Sequence, residues 1–195
     1  MTKVTSILIV GVGGQGTILA SRILSGVAQK VGLDVKVSEI HGMAQRGGSV
    51  VTQVRYGEKV ASPIIPLGQA DIILAFEKLE ALRWLPYLKK DGSIIVNDQR
   101  IDPMPVVIGA ASYPENAINY IKAKFPKAIV VNALDMALQA GNGKAVNVVL
   151  LGLLAKHLDL AKDIWLEVLK ETVPAKHLET NIKAFEAGYN SIDKK

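Results

Sequence analysis

A chain of 195 residues and 20.9 kDa can bury about 70% of the surface its unfolded form exposes, and a composition of 49% hydrophobic against 21% charged residues excludes wholesale disorder. Zero cysteines exclude a disulfide framework, a cluster or zinc site held by thiolates, and a thiol nucleophile. The net charge of +5 is spread thinly: seven basic and three acidic residues in 1–60, nine and eight in 61–150, seven and seven in 151–195. With aromatics at only 5%, no nucleic-acid partner is expected.

Residues 4–10 form a short, β-branched apolar run that stops at glycines, the pattern of a buried strand. Lys3 ahead of this run faintly imitates a secretory signal, but Gly11, Gly13, Gly14 and Gly16 interrupt it. From 17 to 31, Ile18, Leu19, Ile23, Leu24, Val27, Ala28 and Val31 recur at helical spacing, and Gly32 supplies a stop. Residues 33–40 and 49–56 alternate apolar with polar, which predicts two strands, and Gly57-Glu58 predicts the turn of an antiparallel hairpin within 49–61.

Further strands are predicted at 72–76, 93–96, 106–108 and 129–131, with helices near 78–88 and 115–124. Beyond Ala133 the strand pattern ceases and three helices are predicted, at 145–157, 164–172 and 176–190. The apolar stretch 145–155 is far shorter than the roughly 20 residues of a membrane span, so no membrane association is expected and the cytoplasm is the expected location. Strands alternating with helices predict an α/β, Rossmann-like layered fold with a largely parallel sheet, one antiparallel hairpin and a helical C-terminal third.

Three motifs carry chemistry. Gly11-Val12-Gly13-Gly14-Gln15-Gly16 lies between a strand and a helix, where free N–H groups and the helix dipole favour an anion such as a pyrophosphate. Glu39 stands 23 residues after Gly16, as a ribose-binding acid would, so a free-standing NAD-binding protein is one reading; glycines that only permit close strand-to-helix packing are another. The second motif, His41-Gly42-Met43-Ala44-Gln45-Arg46-Gly47-Gly48-Ser49, sets one guanidinium among glycines, suited to a phosphate or carboxylate, or forms a surface turn with an incidental arginine. In the third, Gly141-Asn142-Gly143 precedes a helix that Asn142 can cap, and Asn147 falls on an apolar face where a buried amide needs partners. His41, His157 and His177 are too scattered in sequence to predict a metal site.

Together GVGGQGT at 11–17, the RGG loop at 46–48, GNGKAVNVVLLG at 141–152 and NIKAFEAG at 181–188 resemble the gamma-type subunits of the 2-oxoacid:ferredoxin oxidoreductases. The wording HGMAQRGGSV is similar to the indolepyruvate branch, with Gln45 where pyruvate and 2-oxoglutarate gamma subunits commonly carry an acid. The resemblance implies one gamma-type domain over 1–195. It also implies a larger partner subunit that holds thiamine diphosphate and iron–sulfur clusters, with ferredoxin as acceptor and coenzyme A as co-substrate. The activity it implies is oxidative decarboxylation of an aryl 2-oxoacid such as indolepyruvate to acyl-CoA. On this basis the chain holds no cofactor alone, is inactive when isolated, and completes the active site or the CoA channel. The residues expected to bind are Gly11, Gly13, Gly14, Gln15, Gly16, Thr17, Arg46, Gly47 and Gly48.

Overall fold

The computed structural model describes residues 4–42 and 47–192. Strand β1 (Thr5–Val12) leads into helix α1 (Thr17–Lys30), strands β2 (Asp34–His41), β3 (Ser49–Gly57) and β4 (Ala70–Ala75), helix α2 (Lys78–Trp84) and strand β5 (Leu88–Asn97). Helices α3 (Met104–Val107) and α4 (Ala117–Lys124), strand β6 (Ile129–Val131), and helices α5 (Ala133–Gln139), α6 (Val146–His157), α7 (Lys162–Thr172) and α8 (Leu178–Asn190) follow.

The six strands order as β2-β3-β1-β4-β5-β6. β1, β4, β5 and β6 pair in parallel, whereas β3 runs antiparallel to both β1 and β2. The predicted mixed sheet is therefore present, but its hairpin is made by β2 and β3. Residues 49–57 are one strand, and beyond Gly57 the chain leaves the sheet through Pro63 and Pro66, which cannot donate to a ladder.

Alternation along β1 builds two cores. Ile7 and Ile9 pack with α1 and with α5 to α8 on one face. Leu8 and Val10 pack with Ala81 and Leu85 at α2, Ile121 of α4 and Ile65 on the other. All four β1 side chains are fully buried, each contributing about 1.5–3 kcal/mol.

The strand predicted at 106–108 is instead α3 and the turn after it. Pro105 lies in the first turn of that helix, where its missing N–H costs nothing, and the N–H groups of Val106 and Val107 bond the Pro103 carbonyl rather than a strand. Helix α5 was not predicted; the Asn132 side chain caps it, accepting from the Asp135 N–H at 3.3 Å. Where α6 crosses α8, Gly152 meets the Phe185 carbonyl and Gly188 meets that of Val149, so the two backbones touch directly.

Candidate functional site

Ligands of open α/β sheets gather at the carboxyl ends of strands, where neighbouring connections leave to opposite faces. Here that point lies between β1, whose helix α1 joins one layer, and β4, whose helix α2 joins the other. The crevice is filled by the chain's own amides. Gln15 Oε1 accepts from the Val12 N–H at 2.7 Å, and Gln15 Nε2 donates to the Phe76 carbonyl at 3.0 Å and to Gln99 Oε1 at 3.1 Å. Fully buried Asn97 donates to the same two acceptors, both at 3.0 Å, and its Oδ1 accepts from the Ala133 N–H at 3.0 Å. A methyl group on Gly11 would stand 2.9 Å from both Gln15 Oε1 and Phe76 Cβ, so this position must be glycine for Gln15 to fit.

The open cleft is displaced to the β2–β3 side. It measures about 440 Å³ and is lined by Gly13, Gly14, Gly16, Thr17, Ile18, His41 and Val50. Gly14 and Gly16 have φ of 99° and 83°, left-handed values that glycine adopts without strain. Among the described residues no side chain caps α1, whose first N–H groups have no partner within the helix, and Gly16, Thr17 and Ile18 at its start line this cleft. Thr17 is buried there, and no hydrogen bond to a described residue uses its hydroxyl. From the far side, Asn147 Nδ2 reaches the Gly16 carbonyl at 3.4 Å, which brings the first and third motifs together.

The two glycine loops are joined as well. Gly13 N–H donates to the Gly48 carbonyl at 2.9 Å, and Gly47 N–H returns to the Gly13 carbonyl at 3.5 Å. Arg46 and Gln45 lie outside the described residues. Beyond Gly47 and Gly48 lies a second cleft of about 570 Å³, walled by Ser49 on one side and by a strap that includes Asp102, Met104, Val107 and Ser112 on the other.

Two buried carboxylates from the start of α2 hold these walls. Glu77 caps α2, accepting from the Glu80 N–H at 2.9 Å, and its other oxygen accepts from Tyr113 Oη at 2.5 Å and the Ile101 N–H at 3.3 Å. Burial and the adjacent Glu77 raise the Tyr113 phenol above its ordinary value. Glu80 Oε2 accepts from Ser49 Oγ at 2.5 Å, and Arg83 Nε lies 3.2 Å from Oε1. Burial pushes the Glu80 carboxyl up, against the opposing pull of Ser49 and Arg83. Arg100 closes the base of the strap, 4.4 Å from the Tyr113 ring and paired with Asp102 at 2.6 Å and Glu115 at 2.7 Å.

Of the residues predicted to bind, Gly13, Gly14, Gly16 and Thr17 line the first cleft and Gly47 and Gly48 the second, whereas Gly11 and Gln15 face inward. Sequence reasoning missed Glu77 and Glu80. Their spacing ahead of an apolar helix is close to a capping-box signature and could have flagged them. Glu39 does not stand beside the glycine loop's own strand: β3 intervenes between β2 and β1, and Glu39 Oε1 accepts from Ser21 Oγ at 3.0 Å. That is not the arrangement of a ribose-binding acid.

The family model described as pyruvate ferredoxin/flavodoxin oxidoreductase matches residues 6–191. A protein of Archaeoglobus fulgidus named indolepyruvate oxidoreductase subunit IorB is 42% identical over 189 residues, 95% of this chain and 94% of its own length. Its namesake from Pyrococcus horikoshii is 41% identical over 191 residues, 95% of each chain. Among solved structures, the gamma subunit of a keto/oxoacid ferredoxin oxidoreductase from Geobacter sulfurreducens shares the fold, with a TM-score of 0.70 at 24% identity over 95% of this chain and 96% of that one.

Proposed function

The chain belongs to the pyruvate ferredoxin/flavodoxin oxidoreductase family, and from that premise we propose that it is the cluster-free subunit of a cytoplasmic indolepyruvate-type 2-oxoacid:ferredoxin oxidoreductase, folded as one gamma-type domain over 1–195. The observation that carries this reading is the nearly full-length match, above 40% identity, to two indolepyruvate oxidoreductase subunits.

The donor set of this chain does not fit the redox groups of such an enzyme. It has no cysteine, its sequence contains no Gly-Asp-Gly motif for thiamine diphosphate, and no cluster of three His, Asp or Glu among the described residues could hold a metal. Those groups belong, on this reading, to a larger partner subunit that also meets ferredoxin. No helix among the described residues is long and apolar enough to cross a membrane.

What the chain offers is the face made by its two joined glycine loops. The uncapped start of α1, the Thr17 hydroxyl and the N–H groups near Gly14 and Gly16 suit a phosphate of coenzyme A at the subunit boundary. Arg46 supplies a guanidinium for a coenzyme A phosphate or the 2-oxoacid carboxylate. The test is reconstitution. Neither the chain nor its larger partner alone should reduce ferredoxin, and the mixture should do so only with indolepyruvate and coenzyme A present. Ferredoxin reduction by the isolated chain, or a stable complex that turns over no aryl 2-oxoacid, would end this reading. In the active mixture, Arg46→Ala should raise KM for whichever of the two substrates it binds.

A further inference from the structure

We propose that Glu80 is a positioning residue for the glycine-loop face, acting from the opposite side of the sheet through Ser49 and the Gly48–Gly13 backbone pair. The part of this inference that concerns catalysis rests on the function proposed above; the mechanical part does not.

Glu80 belongs to α2, in the layer opposite α1, and is 4% exposed. A buried carboxylate is costly unless hydrogen-bonded, and Glu80 is satisfied chiefly by Ser49 at the start of β3 and by Arg83 at the rim. Ser49 begins β3 immediately after Gly47 and Gly48, so the contact fixes where these two glycines lead into the strand. Gly48 in turn receives the Gly13 N–H, and Gly13 opens the loop that leads to Thr17 and the start of α1. One side chain outside both clefts thus anchors a chain of short contacts that ends at the cleft beside α1. Glu77, one turn earlier, fastens the facing strap through Ile101 and Tyr113, so Glu80 works against a fixed wall.

The test uses three variants of the full chain. Ser49→Ala removes the donor, Glu80→Met keeps the side-chain length but removes the acceptor, and Glu80→Gln keeps an acceptor for the Ser49 hydroxyl. Hydrogen exchange of the Gly13 and Gly47 amides should quicken roughly tenfold in Ser49→Ala and in Glu80→Met, no further in the double variant, and little in Glu80→Gln. Unchanged exchange at both amides in Ser49→Ala and Glu80→Met, each with a cooperative unfolding transition, overturns the proposal.

The reconstituted enzyme separates this failure from that of the functional reading. If the parent mixture is active, the two loosening variants should raise KM for coenzyme A several-fold at near-parental kcat, with Glu80→Gln restoring it. Quickened exchange with an unchanged KM would overturn the catalytic part. Quickened exchange in a chain whose parent mixture never turns over would instead remove the functional reading and leave the mechanical link standing.

Discussion

Gly13 and Gly48 meet across two loops that lie 35 positions apart in sequence, the Gly13 N–H donating to the Gly48 carbonyl at 2.9 Å. Because Gly13 sits between the end of β1 and the start of α1, and Gly48 directly before β3, this bond turns two separate glycine motifs into one surface. The bond needs the antiparallel β1–β3 register, which places Val12 opposite Ser49. A fully parallel arrangement would carry the two loops to opposite ends of the sheet.

Gly14→Ala and Gly16→Ala should differ, although both glycines have left-handed backbones. At Gly14 nothing lies within 4 Å of an added methyl, so the cost is the backbone strain alone, about 1–2 kcal/mol. At Gly16 the methyl would stand 2.6 Å from Asn147 Nδ2, and the total should reach about 3 kcal/mol or more. Urea unfolding of both variants, with Asn147→Ala added to each, checks this: the second substitution should narrow the gap by relieving Gly16→Ala. Equal midpoints for the two single variants would contradict it.

Gln15→Ala should destabilise the chain by about 2–3 kcal/mol, because it strips three hydrogen bonds from the crevice between β1 and β4. A residue that served only to contact a ligand would leave the unfolding midpoint in place. Midpoint and coenzyme A affinity measured on the same variant separate the two roles.

Helix-to-helix contact in the C-terminal third makes a third case. Gly152→Ala or Gly188→Ala would each drive a methyl group into the backbone of the other helix, where no rotamer change can make room. Overpacking against backbone should cost about 3 kcal/mol or more, read as a large drop in urea midpoint. A loss below about 1 kcal/mol would mean that α6 and α8 can slide apart.

The layered fold could be read from the alternation of periods along the chain, and the cleft glycines from their place between a strand and a helix. Three things could not. Residues 106–108 look like a strand because Val106, Val107 and Ile108 are β-branched, yet Pro103 and Pro105 just ahead of them start a helical turn whose N–H groups bond the Pro103 carbonyl. The insertion of β3 between β1 and β2 depends on long-range pairing, which local patterns do not encode, and it is this insertion that separates Glu39 from the glycine loop. The spacing of Glu77 and Glu80 hints at a helix cap, but not at their buried partners, because Tyr113 and Ser49 lie 36 and 31 residues away.

Glu80 also gives the chain a pH dependence whose sign can be worked out. Burial raises its carboxyl in the folded state above the ordinary 4.5, with Glu77 adding to the rise and Ser49, Arg83 and Trp84 opposing it. Between those two values the folded chain keeps a proton that the unfolded chain has released, so stability falls as pH rises through that window. Asp34 and Glu179 act in the opposite sense: Lys36 and Lys183 lower them, so the stability they add is present above their ordinary values and lost as pH falls. Both remain in Glu80→Met, so the difference between parent and variant isolates Glu80. Unfolding free energies of both, taken from about pH 4.5 to about pH 7, should show the parent losing ground to Glu80→Met as pH rises. A difference that stays constant, or that moves in the parent's favour, would show that the carboxyl is held at or below its ordinary value and that Ser49 and Arg83 outweigh burial.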